Sequence, residues 1–145
     1  MALNFTALAR SIQTLEASLN HLEQTEGQQL LYEVFRNAVS KGFELTLESS
    51  GTALRKVLRE YHGDPGVVNR LVFKDLFRHA ARHELLSPEA VQRWLLYRDL
   101  RNDTAHQYGE ALAKQTLAQM HAFIADAKAL HLALESQHGD TPPAT

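Results

Sequence analysis

The stretch FTALARSIQTLEASLNHL, residues 5–22, decides the fold. Its apolar residues are Phe5, Leu8, Ile12, Leu15, Leu19 and Leu22, at alternating intervals of three and four. That interval returns a side chain to one face of a helix at every turn and leaves the opposite face polar. A strand would need alternation by two, and no useful length of the chain shows it. The helical rhythm continues to the far end, so the chain reads as all-α.

Working outward, QTEGQQ (residues 24–29) breaks the first helix. A second helix should begin near Gln28 and run towards Tyr61, weakened or bent by Gly42 and by Ser49, Ser50 and Gly51. HGDPG, residues 62–66, is the strongest turn signal. A third helix then places Val72, Phe73, Leu76, Phe77 and Ala80 on its apolar side. LSPEA, residues 86–90, starts a fourth, with Ser87 as N-cap, Pro88 at the first helical position and Glu89 favoured by the helix dipole. Val91, Trp94, Leu95 and Leu100 point inward from it. Gly109 marks a break, and a fifth helix carries Ala113, Leu117, Met120, Ile124, Ala127 and Leu134 on one face. Five helices with short connections imply an antiparallel bundle. One domain is expected over residues 1–136, with a flexible tail at 137–145.

Bulk properties narrow the function. The 145 residues are 44% hydrophobic, enough for a core, and the formal net charge is -2. A polyanion would therefore have to bind a local patch rather than the whole surface. With no cysteine, thiolate chemistry and disulfides are excluded, which suits a reducing cytoplasm. No apolar run reaches the roughly 20 residues of a membrane span, and MALNFTALARS carries no signal-peptide pattern. The expectation is a cytoplasmic protein without a membrane partner.

Several constellations carry little chemistry. His79 and His83 have the i, i+4 spacing of a metal pair, but the residues between them are Ala80, Ala81 and Arg82 and supply no zincin glutamate. No metal and no cofactor are expected. Glu44 and Glu48, also i, i+4, read as a solvated face before a general acid/base pair. Arg70, Lys74, Arg78 and Arg82 step by four along the third helix, drifting about 40° each time. A phosphate backbone could follow such a stripe; Asp75 and Glu84 dilute it, and an ordinary solvated face explains it equally well.

RNDTAHQY, residues 101–108, closes the fourth helix. Asn102 and His106 are helical neighbours, and Arg98 extends their face. Arg101 and His106 lie about 140° apart on an ideal helix. They converge only if the helix ends or if a second copy brings its own pair nearby. The residue types suit phosphodiester cleavage. A neutral histidine takes the proton of a ribose 2′-hydroxyl, an imidazolium protonates the leaving oxygen, and an arginine fork stabilises the phosphoryl oxygens. The Arg-to-His spacing alone says little: ten arginines and eight histidines give about half a match by chance, and Arg78 to His83 is a second one.

The surrounding residues say more. RNDTAHQY resembles the Arg-x4-His-x-Tyr motif of HEPN-domain proteins, specifically the HepT-like toxins paired with minimal nucleotidyltransferase (MNT) antitoxins. That family is also called nucleotidyltransferase substrate-binding protein. RNAVSKGFELTLES, residues 36–49, is similar to the family's second-helix pattern. The resemblance covers most of the chain and implies a dimerising helical bundle with the two motifs lining a cleft between protomers. It implies metal-independent endoribonuclease action, with tRNA a typical target. Carried over by position, Arg101 stabilises phosphate, His106 is the acid/base, Asn102 is the arginine's polar companion, and Tyr108 is the tyrosine that the partner nucleotidyltransferase modifies with AMP. ESSGTALRK, residues 48–56, departs from the family's bulkier apolar stretch, so the second helix or the dimer face is expected to pack differently.

Two functions therefore follow from the sequence. The first is a ribonuclease toxin acting as a homodimer, with Arg101 and His106 catalytic and Arg70, Lys74, Arg78, Arg82 and Arg98 along the RNA path. The alternative is a non-catalytic subunit that holds a nucleotide or substrate for a nucleotidyltransferase.

Overall fold

The computed structural model describes residues 3–61, 63–106 and 110–138; side chains at 103–106, 110–113 and 138 lie outside that description. Six helices are found there: α1 (Thr6–Glu23), α2 (Gln29–Tyr61), α3 (Pro65–Asn69), α4 (Phe73–Arg82), α5 (Pro88–His106) and α6 (Glu110–His138). The all-α expectation holds, with one helix more than the sequence suggested. The extra element is α3, in the segment read as a turn. Asp64 caps it by accepting from the Gly66 amide at 2.9 Å, and Pro65 takes its first position. The turn residues thus nucleate one helical turn rather than a plain reversal.

The stripe of α1 is buried as its spacing requires: Phe5, Leu8, Ile12, Leu15, Leu19 and Leu22 are each at most 5% exposed. The helix stops where Thr25 turns back on Leu22 through both its amide (3.1 Å) and its hydroxyl (2.6 Å). Gly27 then takes φ +81°, a left-handed conformation that a side chain disfavours. The chain reverses, and α2 packs antiparallel along α1.

α2 runs for 33 residues without interruption, so the glycines do not break it. A Cβ on Gly42 would stand 3.1 Å from Leu15 Cδ1 and 3.3 Å from Leu15 Cα, so its absence lets α1 approach closely. Ser50 and Gly51 are buried, and a Cβ on Gly51 would lie 3.4 Å from the Phe73 ring. The small residues of the departing stretch therefore make room for an aromatic from α4. Their conformational cost, about 1 kcal/mol for a glycine, is offset by that packing.

Arg55 and Arg59 have structural roles. Arg55 donates to the Val68 and Leu71 carbonyls at 2.6 and 3.0 Å, and Arg59 Nε to Asn69 Oδ1 at 2.7 Å. They tie the α3–α4 connection onto α2. One apolar assignment shifts: Val72 is the N-cap of α4 and 65% exposed, while Leu95 and Leu100 face inward, partly buried against the core.

At the centre, aromatic rings from four helices interlock. Phe43 of α2 meets Phe123 of α6 edge-on at 4.8 Å, and Phe77 of α4 stacks on Trp94 of α5 at 4.9 Å. Tyr97 meets Phe123 at 5.0 Å. Rings of this size each contribute about 1.5–3 kcal/mol of burial free energy. The middle of α5 is thereby anchored on α4 and α6. Among the described residues no helix is long and apolar enough to cross a membrane.

Candidate functional site

α5 begins as its sequence dictates: Ser87 Oγ accepts from the Ala90 amide at 3.1 Å, and Pro88 is the first helical residue. It stays helical through His106. Arg101 and His106 therefore share one helix with no break between them, and on a regular helix they stand about 140° apart. The helix end expected within residues 101–108 therefore does not fall before His106, and residues 107–109 lie outside the described residues. The side chain of His106 and all of Tyr108 lie outside the described residues.

Arg101 opens onto a cleft of about 240 Å³ between α2, α4 and α5. Its walls include Glu44 and Glu48 of α2, Phe73 of α4, and Arg98 and Arg101 of α5. Arg101 Nη2 donates to Glu44 Oε1 at 3.3 Å. Arg98 places its guanidinium 5.3 Å from the centre of the Phe73 ring, within reach of a cation–π attraction. Phe73 in turn leans on Phe77 at 4.5 Å, linking this rim to the aromatic core. Asn102 is half-buried beside Arg101.

The proposed basic stripe is differently arranged. Arg70 is not on α4; it is the C-cap of α3. Proline-led α3 uses up the residues that the sequence reading gave to the longer helix. Lys74 is paired with Asp99 of α5 at 2.8 Å, and Arg78 with Asp75 at 2.9 Å. Arg82 ends α4 and is exposed. Only Arg98 among the five RNA-path candidates lines the cleft with Arg101. Of the histidine pair weighed for metal, His83 has left α4 as its C-cap and stacks on Tyr61 at 4.6 Å.

Sequence reasoning missed one partner of Arg101. Glu44 was read as part of a solvated face, although it falls within the second block, residues 36–49. A second missed feature stabilises α5 from behind. Asp126 of α6 takes a bidentate fork from Arg93, at 2.9 and 2.8 Å, and the Tyr97 hydroxyl at 2.5 Å. Burial pushes the Tyr97 phenol well above its ordinary range, and the hydrogen bond to the Asp126 carboxylate adds to this. Arg93 is held more firmly protonated by its hydrogen bonds to Asp126. A spacing of 29 residues between Tyr97 and Asp126 left no local pattern to detect.

Known proteins align with this architecture. The family described as nucleotidyltransferase substrate binding protein like matches residues 3–136. A probable ribonuclease HepT of Haemophilus influenzae is 24% identical over 132 residues, spanning 88% of this chain and 89% of that protein. The solved structure of HI0074 from Haemophilus influenzae, described as the fold of a substrate binding domain of a nucleotidyltransferase, superimposes with a TM-score of 0.81 at 23% identity, covering 91% of this chain and 99% of that one. With the family pattern running through nearly all of its helices, the chain belongs to the nucleotidyltransferase substrate-binding protein family.

Proposed function

We propose that this protein is a metal-independent endoribonuclease of the HEPN type, the toxin of a pair whose antitoxin is a minimal nucleotidyltransferase. The observation that carries the reading is the unbroken helix from Arg101 to His106, beside a cleft into which Arg101 opens. One protomer cannot bring both groups to one phosphate on a straight helix, so a second copy supplies the complementary pair. A homodimer then has two imidazoles and two guanidiniums across one seam. The neutral imidazole takes the 2′-hydroxyl proton, and the oxygen attacks phosphorus. The 5′-oxygen leaves with the proton of the other, protonated imidazole. The products are a 2′,3′-cyclic phosphate and a 5′-hydroxyl, and Arg101 stabilises the charge on the non-bridging oxygens. RNA brings its own nucleophile, so the step balances without a metal or cofactor. The name of the Haemophilus relative, a probable ribonuclease, agrees with this assignment, and tRNA is the expected substrate.

Tyr108, two residues past His106, is the proposed site of AMP transfer by the partner nucleotidyltransferase. An added phosphate would repel RNA beside the seam. The decisive experiment is RNA cleavage in EDTA: the purified protein should cut, and His106→Ala should not. Undiminished cutting by that variant would remove the mechanism. Incubation with ATP and the nucleotidyltransferase should add the mass of AMP, and Tyr108→Phe should block the addition.

A second reading is favoured by the description of HI0074 as a substrate binding domain of a nucleotidyltransferase. There the cleft arginines hold a nucleotide or substrate, and His106 only donates a hydrogen bond. Growth arrest on expression without the neighbouring nucleotidyltransferase, dependent on Arg101 and His106, separates the toxin from the binding subunit.

A further inference from the structure

We infer that the cleft beside Arg101 is a guanine-reading site, in which Glu48 and Arg98 recognise two edges of one RNA base next to the cut. This rests on the reading of the protein as a ribonuclease. The cleft holds about 240 Å³ between α2, α4 and α5. That is below the roughly 300 Å³ at which drug-sized ligands begin to fit, so it admits one ring system rather than a whole nucleotide. Phe73 and Arg98 supply its aromatic side: the ring is partly buried against the core, and the guanidinium stands 5.3 Å from its centre. The α2 wall comes from the stretch at 48–56, through Glu48, Gly51 and Thr52. Arg98 precedes Arg101 by one helical turn, about 4.5 Å along the axis. A base held here lies next to the phosphate that the ribonuclease reading assigns to Arg101.

Glu48 and Arg98 line this cleft without pairing. Among the described residues neither side chain enters an ion pair, with the other or elsewhere. Glu44, the second carboxylate of the cleft, is by contrast paired with Arg101 at 3.3 Å and stands 3.9 Å from Lys41 Nζ. An unpaired carboxylate and an unpaired guanidinium in one cleft suit a ligand that offers two donors to the first and two acceptors to the second. Guanine does so: N1–H and N2–H₂ are parallel donors that match a carboxylate, and O6 and N7 accept an arginine fork. Adenine and cytosine offer one amino group beside ring nitrogens that repel a carboxylate. Uracil has one N–H between two carbonyl oxygens. With guanine, charge-assisted hydrogen bonds offset the water that Glu48 gives up. A wrong base leaves the carboxylate dehydrated and unpaired, which is how a polar site rejects a ligand. The stretch at 48–56 is also where the sequence departs from the family pattern, so the preference belongs to this chain's own α2 wall.

Short 2′-O-methyl oligoribonucleotides report binding alone, because their blocked 2′-oxygen cannot attack phosphorus. The purified protein should bind a single guanine in a run of uracils about 5- to 150-fold more tightly than adenine or uracil at that place, the scale of one good bidentate base contact. Hypoxanthine, which lacks only the amino group, should fall between. Glu48→Gln should cancel the lead of guanine and raise adenine, since an amide offers one acceptor and one donor. Arg98→Lys, which keeps the charge without the fork, should narrow the lead. Equal binding of all bases, or binding of none, overturns the site. So does a guanine lead that survives Glu48→Gln; a merely structural Glu48 would lower the melting temperature and keep the lead. Competition by free guanosine monophosphate as strong as by the oligonucleotide overturns the assignment to RNA and gives the cleft to a free guanine nucleotide. Cleavage of ordinary RNA separates this inference from the reading beneath it. A Glu48-dependent guanine lead in a protein that does not cut leaves the site standing and removes the ribonuclease, and cutting with no base preference does the reverse.

Discussion

Two arginines on α5, Arg93 and Arg101, lie about two turns apart and have opposite circumstances. Arg93 is locked: a two-point fork to Asp126 at 2.8–2.9 Å, with Tyr97 closing the same carboxylate at 2.5 Å. Arg101 meets its carboxylate, Glu44, across a looser 3.3 Å. The Asp126 carboxylate is 12% exposed and Glu44 is 37% exposed. The first arrangement is a tight tie between α5 and α6; the second is a longer, more exposed contact between α5 and α2. One helix thus carries a fastening at its middle and the proposed working group near its end.

The largest expected effect tests the working end. Arg101→Ala should lower RNA cleavage about 10²–10³-fold, the typical loss for one oxyanion-stabilising donor, with the melting temperature almost unchanged. A large fall in stability alongside the lost activity would break the contrast, because Arg101 would then be a fastening too.

The fastening should show the reverse. Asp126→Ala leaves the buried Tyr97 hydroxyl and the Arg93 fork without their acceptor, a loss of about 1–3 kcal/mol. Urea denaturation should show an earlier midpoint, while cleavage per folded molecule stays close to wild type. Loss of cleavage at full folded occupancy would mean that α6 communicates with the site, and the two regions would cease to be separate.

A finer version uses pH. Burial and Asp126 raise the folded-state pKa of Tyr97 above its ordinary value of 10.0, whereas the unfolded phenol ionises near pH 10. The folded state thus disfavours the phenolate. The stability this contributes is complete below about pH 10 and is lost as pH rises beyond it. Tyr97→Phe should be less stable than wild type at pH 8, and the gap between the two urea midpoints should narrow as pH rises above about 10. A constant gap across that range would show that the phenol does not titrate differently in the two states.

The legibility of these features in the sequence follows their range. α1 could be read residue by residue, because Phe5 to Leu22 repeat within a single helix and burial simply obeys the repeat. The start of α5 was equally plain, since Ser87 and Pro88 act within one turn. α3 was hidden because Asp64 and Pro65 are both turn formers and helix starters, and only the tertiary tie from Arg55 and Arg59 shows why a helix follows. The residues of α2 that looked like weak points, Gly42 and Gly51, are contact points with Leu15 and Phe73. At the site, the motif from Arg101 onward was visible as text. The Glu44 contact and the pairing of Lys74 with Asp99 join separate helices, so no spacing rule reaches them.

The smallest effect falls on Lys74 and asks how far the working region extends. Its pair with Asp99 is largely solvent-exposed, 40% and 52% for the two side chains. Lys74→Ala should therefore cost a few tenths of a kcal/mol at most. If RNA runs along α4, a phosphate must draw Lys74 away from Asp99, and the variant should reduce the slope of log affinity against log salt by about one. Asp99→Asn should then strengthen RNA binding, because the lysine no longer has a competing carboxylate. Unchanged salt slopes in both variants would make α4 a solvated face and confine the RNA path to the Arg98–Arg101 cleft. The separation between fastening and working group would then be as sharp along the surface as it is along α5.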